Sequence, residues 1–161
     1  MIISRRGTLA LSGAALCAPF LSSGVLAAAV HDVQMVNNHP EDDKKLMAFY
    51  PEVVRAQPGD TIRFLSVDNN HNTEAFKNML PEGADHWRSK LGEDFELTVD
   101  VDGAYGYFCT PHKTWGMVGL LLVGDVSVNY DALRSVRQRG KARARFEELF
   151  ALADTMLTAD A

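Results

Sequence analysis

The segment 109–117 contains three side chains that bind soft or borderline metal ions. Cys109, His112 and Met117 place a thiolate, an imidazole and a thioether within nine residues, between two predicted strands. Sulfur ligands suit copper and zinc, and imidazole suits both metals. This spacing predicts one loop that supplies three ligands to a metal ion.

A further ligand must come from another part of the chain, and His71 is the best placed. It follows a predicted strand at 61–67 within the polar stretch 68–72, from which a loop can approach the Cys109 segment. The next residue, Asn72, can brace the site through a hydrogen bond to the thiolate or to the neighbouring loop.

The four side chains meet the needs of a copper ion that alternates between Cu(I) and Cu(II). Two imidazoles and one thiolate in a plane, with a long axial thioether, form a geometry that both oxidation states accept. We therefore expect one copper ion bound by His71, Cys109 and His112, and more weakly by Met117. Such a type I, or blue, copper site carries one electron at a time.

Other chemistry stays open for these residues. Cys109 could be the nucleophile of a hydrolase or transferase with His71 or His112 as its base, but this needs an orienting third group and an oxyanion site, and the sequence offers no recognisable one. The chain could instead store copper or deliver it to a partner; reversible oxidation without loss of metal would exclude this. A structural zinc site is disfavoured because Met117 would be a poor fourth ligand.

Each candidate ligand also has a purely structural interpretation. Alone, Cys109 would be a small buried hydrophobe, Met117 a core residue and His71 a solvated side chain. Their combined spacing favours the ligand interpretation. The remaining histidines lie in polar surroundings without ligand spacing and are predicted to be surface residues: His31, His39 and His86.

The first 29 residues have the organisation of a secretory signal peptide. Arg5 and Arg6 precede an apolar stretch at 9–26, three alanines follow at 27–29, and the segment contains no acidic residue. This order of charge, apolar run and small residues is typical of export signals. The arginine pair resembles a twin-arginine signal, without the aromatic residue that usually follows it. We expect a signal peptide at 1–29, a single domain at 30–161 and a periplasmic location.

Removal of that leader would leave 14 basic and 21 acidic residues, a net charge of about −7. This charge disfavours nucleic-acid binding, which usually needs a basic patch. We expect no membrane attachment after the leader is removed, and a monomer. Cys109 would be the one remaining cysteine, so no internal disulfide is expected.

The rest of the chain predicts a β-sandwich followed by helices. Alternating apolar residues and turn signals indicate short strands. The apolar run that begins at Val53, within 53–60, and the segment 61–67 are expected as an antiparallel pair joined by the Pro58-Gly59 turn. A short helix is expected near 85–89, and apolar residues at helical spacing predict helices at 129–139 and 141–157. The other expected strands lie at 32–37, 46–50, 95–99, 104–108 and 117–123.

The pattern Cys-x2-His-x4-Met, preceded 38 residues earlier by His71-Asn72, resembles the cupredoxins and, among them, the pseudoazurins. Further similar segments occur in the same order, at 57–61, 79–84, 97–99 and 103–105. The resemblance covers about residues 32–157. It implies an all-β fold, a cupredoxin-like Greek-key β-sandwich with two C-terminal α-helices.

The resemblance also implies a function. It indicates a periplasmic electron carrier, not an enzyme, that passes electrons to a respiratory enzyme such as a copper nitrite reductase, or exchanges them with a cytochrome. The imidazole edge of His112, at an apolar surface, would be the exit for the electron.

Three departures from the pseudoazurin pattern limit what is carried over. Gln34 stands where a histidine that tunes the site often lies, so pH-linked behaviour that depends on that histidine is not carried over. Trp115 replaces a smaller side chain or methionine in the ligand loop, where its indole can cover His112 or enlarge an apolar docking patch, and we expect a shifted reduction potential. Asn69 and Phe108 replace lysines of a basic ring around the copper. The candidates for a thinner ring are Lys77, Arg88, Lys90 and Lys113.

Overall fold

Residues 27–159 are described by a computed structural model, and within them eight strands precede two helices. The last and longest element is helix α2, Gly140–Ala159, after the short helix α1, Tyr130–Arg134. One-turn 3-10 helices lie at Lys113–Trp115 and Val126–Val128. The strands are β1 Val30–His39, β2 Asp42–Tyr50, β3 Val53–Ala56, β4 Asp60–Ser66, β5 Glu74–Ala75, β6 Phe95–Val99, β7 Gly103–Phe108 and β8 Val118–Val123.

The strands form two four-stranded sheets, in the orders β2-β1-β4-β6 and β3-β8-β7-β5. β1 runs parallel to β4, and β3 runs parallel to β8, while the other pairs are antiparallel. The all-β sandwich with C-terminal helices expected from the sequence is therefore confirmed. Among the described residues, no helix has the length and apolar character needed to cross a membrane.

The predicted pairing of β3 with β4 is wrong, because the two strands belong to different sheets. The turn between them carries the chain from one sheet to the other, with Gly59 at a φ of 95°. Asp60 stabilises this corner: hydrogen bonds from the backbone N–H of Gln57, from His31 and from the N–H of Ala29 lower the pKa of its carboxyl to about 2. Turn residues indicate a change of direction, but the sheet that a strand joins depends on long-range burial.

Two predicted helices also differ from the structure. The segment 85–89 is extended, because the Trp87 carbonyl accepts from the Ala75 N–H and the Ser89 N–H donates to the Thr73 carbonyl. Helix α1 ends at Arg134 rather than at residue 139, and the Ser135 hydroxyl donates to a carbonyl of its last turn. In the first segment, pairing with a distant part of the chain overrides the helical sequence pattern. In the second, side-chain hydrogen bonding ends the helix early.

The core has two parts, one between the sheets and one under helix α2. Between the sheets, the Tyr107 ring lies 4.8 Å from that of Phe49 and 5.3 Å from that of Phe64. On the outer face of the second sheet, Phe146 and Leu149 of α2 cover β8. All six residues of β8 are consequently buried, which explains its uninterrupted apolar sequence.

A buried acid attaches helix α2 to the sandwich. Glu52, just before β3, is 7% exposed and accepts hydrogen bonds from Lys45, at 2.8 Å, and from Arg145 of α2. His39 lies 3.9 Å from the same carboxylate, and its side chain is only 8% exposed, so its predicted surface location is wrong. Its ring packs edge-on against Tyr50, which accounts for its burial.

Candidate metal centre

The fold brings His71, Cys109 and His112 together at one end of the sandwich. The Cys109 Sγ lies 3.8 Å from His71 Nδ1 and 3.4 Å from His112 Nδ1, and the two nitrogens are 3.1 Å apart. Each side chain offers one donor atom, and all three atoms lie within 4.8 Å of one another. Two imidazole nitrogens and one sulfur can therefore bind a single metal ion.

Met117 lies at the base of the loop that carries two of these side chains. The Cys109 N–H donates to the Met117 carbonyl at 3.0 Å, and the Met117 N–H donates to the His112 carbonyl at 3.2 Å. Met117 is fully buried. Gly116, at a φ of 91°, closes the loop so tightly against α2 that a side chain there would come within 3.2 Å of the Lys141 carbonyl oxygen. Backbone bonds thus fix the spacing of the three loop residues.

Asn37 orients the buried ring of His71. Its side-chain oxygen lies 3.0 Å from His71 Nε2, so an N–H at Nε2 donates to it and leaves the Nδ1 lone pair facing Cys109 and His112. Asn37 was not predicted from the sequence. No local motif marks it; it reaches the site because β1 pairs in parallel with β4, and its own N–H bonds to Asp68 beyond the end of β4.

The predicted brace from Asn72 is confirmed. Its side-chain amide donates to the Thr110 hydroxyl at 3.0 Å, and its oxygen accepts from the Thr110 N–H at 2.8 Å. Thr110 in turn donates to Glu74 at 2.8 Å. The two loops that carry His71 and Cys109 are therefore held together by direct hydrogen bonds.

The electrostatics of the site favour metal binding over nucleophilic catalysis. Burial lowers the pKa of His71, with a smaller contribution from His112, and burial also lowers the pKa of His112, so both imidazoles are neutral donors. Burial raises the pKa of the Cys109 thiol, opposed by the backbone N–H groups of Asn72 and His112. A nucleophilic cysteine needs a lowered pKa and access to substrate, whereas Cys109 is fully buried. A metal ligand must also be a thiolate, but there a bound metal ion would itself deprotonate the thiol.

The site reaches solvent through His112, which is partly exposed. Around it, Lys113 lies over the Phe76 and Phe108 rings, at 4.4 and 4.6 Å. Two other cations of the expected ring are ion-paired, Arg88 with Glu74 and Lys90 with Glu93. Lys77 is exposed.

Comparison with known proteins agrees with this geometry. The family described as copper binding proteins, plastocyanin/azurin family, matches residues 34–124. A pseudoazurin from Paracoccus pantotrophus is 46% identical over 74% of this chain and 81% of its own length. One from Methylorubrum extorquens is 39% identical over 88% of this chain and 95% of its own.

Solved structures give the same result. The crystal structure of pseudoazurin from Methylobacterium extorquens AM1 matches with a TM-score of 0.73 and 39% identity, over 77% of this chain and 98% of that one. Pseudoazurin from Hyphomicrobium denitrificans matches with a TM-score of 0.71 and 30% identity, over 76% and 96%. The chain therefore belongs to the copper-binding plastocyanin/azurin family and, within it, to the pseudoazurins, which are blue copper electron carriers and not enzymes.

Proposed function

We propose that this chain is a periplasmic carrier whose copper ion is held by His71, Cys109 and His112, with Met117 as the weaker axial ligand. It delivers electrons one at a time to a respiratory enzyme such as a copper nitrite reductase, or exchanges them with a cytochrome. The convergence of three donor atoms within 4.8 Å carries the proposal.

When bound, copper supplies a centre that alternates between Cu(I) and Cu(II). The protein's own residues support electron transfer in three ways: they exclude water, hold the donor atoms in place and provide a route to the surface. His71, Cys109 and Met117 are fully buried and exclude water from the donor atoms. The backbone bonds across the loop and the Asn72 brace hold the donors in place. His112 is the ligand with an exposed part, so its ring is the route between the site and a docked partner.

The enclosed site argues against the alternative of a copper carrier or store. A protein that gives its metal to a partner needs ligands that the partner can reach, whereas three of the four proposed ligands are fully buried. An electron needs only the ring edge of His112 at the surface. Retention of copper through oxidation and reduction is therefore the property that separates the two functions.

Export of the chain is part of the proposal. Most of the predicted signal peptide, 1–29, lies outside the described residues, which begin at Ala27. Residues 27–29 are exposed and include none of the proposed ligands, so cleavage there would keep all four ligands in the chain. Cleavage after Ala29 would remove the hydrogen bond from the Ala29 N–H to Asp60. A single domain at 30–161, acting as a monomer without nucleic acid or membrane attachment, completes the proposal.

Absorption spectroscopy tests the copper site. The wild-type protein loaded with Cu(II) should show the intense visible band of a copper-thiolate bond, which ascorbate bleaches and an oxidant restores without loss of metal. Cys109→Ala should remove the band and leave a folded sandwich. Colour that is lost together with the metal would favour copper delivery, and a band that survives in Cys109→Ala would refute the ligand assignment.

A second assay tests the partner. The reduced protein is mixed with a copper nitrite reductase and nitrite, and return of the visible band reports electron delivery. Omission of nitrite is the control, because turnover then stops once the enzyme is reduced. If the protein is reduced by ascorbate and restored by the chemical oxidant but is not reoxidised by nitrite reductase, the carrier function stands and this partner is excluded.

A further inference from the structure

The positive charge of the chain is concentrated in one stretch. Residues 134–145 contain six basic residues and no acidic residue, among the 14 basic and 21 acidic residues between positions 30 and 161. The remainder of that region therefore carries eight cations against 21 acids. Such an asymmetric distribution leaves a locally positive surface wherever neighbouring acids do not neutralise the cations, although the net charge is negative.

Three cations of this stretch are available to a partner. Arg134, Arg143 and Arg145 are engaged by carboxylates of the helix or of Glu52. By contrast, the other three cations are exposed, and no carboxylate oxygen of the described residues lies within 4.0 Å of their charged nitrogens. We call these the free cations: Arg137, Arg139 and Lys141.

Lys141, in the first turn of α2, brings this stretch against the loop that carries the proposed copper ligands. The Lys141 ammonium is 5.5 Å from the centre of the Trp115 ring, and its backbone carbonyl packs on Gly116. Trp115 is 50% exposed, a large aromatic side chain within three residues of His112. We call Trp115, Arg137, Arg139 and Lys141 together the lateral surface.

The shape of the lateral surface suits a protein partner. A groove of about 820 Å³ is lined by Arg137 and Arg139, and a pocket of about 270 Å³ is lined by Trp115 and Lys141. Each also contains one acid, Glu147 in the groove and Glu148 in the pocket, and both acids are paired with other cations of the chain. The connecting segment is anchored by Gln138, whose amide donates to the Met79 sulfur at 3.1 Å. Tryptophan and arginine are the residues that most often dominate binding at protein interfaces.

We infer that the lateral surface is the docking site for a carboxylate-rich face of a redox partner protein, which sits on the α2 side of His112 instead of centrally over it. This inference rests on the proposed electron-carrier function. Charge complementarity carries it, because three unpaired cations belong to this surface. Of the four cations of the expected ring, Arg88 and Lys90 are paired with acids and Lys113 lies over two aromatic rings, which leaves Lys77 as the one exposed cation there without an ion pair among the described residues. The partner would contact Trp115 while its carboxylates face the free cations.

Matched double variants test the lateral surface. Arg137→Gln/Lys141→Gln and the control Lys77→Gln/Lys90→Gln each remove two positive charges, so their net charges are equal. The probe is an acidic c-type cytochrome, and its reduction is followed by stopped flow at several salt concentrations. At low ionic strength the lateral variant should lower the second-order rate constant about five- to tenfold and flatten its salt dependence, and the control should change it less than about twofold. The spectrum and ascorbate reduction of each variant separate damage to the copper site from loss of docking.

Equal rates for the lateral variant and wild type, or equal losses in both variants, would overturn the docking site and leave the carrier function intact. A binding titration followed by amide NMR needs no electron transfer, so it decides the surface even if the copper does not cycle. Shifts at Arg137, Arg139 and the Trp115 indole would support it, and shifts confined to Lys77 and Lys90 would refute it. Binding to anionic phospholipid vesicles without binding to the cytochrome would also refute it.

Discussion

Replacing Asn37 with leucine should weaken copper binding without unfolding the protein. The Asn37 oxygen is the acceptor for His71 Nε2, at 3.0 Å, and leucine fills a similar volume without an acceptor. With a metal on Nδ1, the imidazole must keep its proton on Nε2, where the variant leaves it unpaired inside the protein. The cost of the substitution therefore falls mainly on the metal-bound form.

The metal-free form has another way to satisfy this proton. If the proton moves to His71 Nδ1, it faces His112 Nδ1 at 3.1 Å and the Cys109 sulfur at 3.8 Å. The free energy of unfolding of the metal-free variant should thus fall by no more than about 1 kcal/mol. Strand β1 keeps its backbone bond to Asp68, because that bond uses the N–H of residue 37.

The size of the effect follows from the burial of His71, whose exposure is 0%. An unsatisfied buried donor costs about 1–3 kcal/mol, and outer ligand partners typically contribute 10- to 100-fold in metal affinity. We expect the copper affinity of Asn37→Leu to fall about 10- to 100-fold, and Asn37→Asp, which keeps an acceptor oxygen, to retain most of it.

Competition with a chelator of known copper affinity measures this change. Asn38→Leu is the matched control, because residue 38 is the exposed neighbour on the same strand. Urea unfolding of the metal-free proteins provides the second readout. An Asn37→Leu affinity within about twofold of wild type would refute the role of Asn37, and an equal loss in Asn38→Leu would show a general effect of the strand.

Three further substitutions probe the scaffold. Gly119→Ala should lower the free energy of unfolding by about 2–3 kcal/mol, because its methyl group would overlap the ring of the buried Tyr107. Glu52→Gln should lower it by about 3 kcal/mol, because Arg145 of α2 loses a buried partner. Asp60→Asn should remove a pH dependence of the free energy of unfolding. The pKa of the Asp60 carboxyl is about 2 in the folded protein and about 3.9 in the unfolded chain. Its carboxylate therefore stabilises the wild type fully above about pH 4, and this contribution is lost as the pH falls through about 2.

Urea titrations provide the controls for these three variants. Glu147→Gln breaks the exposed pair with Arg143 and should change the free energy of unfolding by less than about 0.5 kcal/mol. If Glu147→Gln and Glu52→Gln lowered the free energy of unfolding equally, the burial of Glu52 would not be the reason for its effect. A Gly119→Ala protein as stable as wild type would show that Tyr107 can move. An unchanged acid profile in Asp60→Asn would assign the pH dependence to other carboxyls.

The grouping of Cys109 and His112 on one loop with Met117 could be predicted from the sequence because these residues are close along the chain. They lie on one loop whose geometry is set by local backbone hydrogen bonds. Their spacing along the chain therefore indicated a metal site by itself. The approach of His71 to Cys109 and His112 was predicted because a polar loop following a strand is a common place for a ligand, and the structure brings the three side chains together. Asn37 was missed because its approach depends on the parallel register of β1 and β4, to which no short motif corresponds.

The errors in the fold have the same origin. The Pro58-Gly59 turn was recognised, yet whether β3 folds back on β4 or crosses to the other sheet depends on partners more than 60 residues away in β8. Segment 85–89 has a helical composition but extends to pair with Thr73 and Ala75. His39 was placed at the surface because its neighbours are polar, whereas β2 and Glu52 enclose it.

The contact between Gly116 and the first turn of α2 joins the metal loop to the end of the chain. A local opening of that turn removes the surface against which the loop is closed, so the opened form should bind copper less tightly. Linkage requires the reverse effect to be equal: bound copper must make the opening rarer. Amide hydrogen exchange at the start of α2 should therefore slow when copper binds, although none of those residues is a ligand.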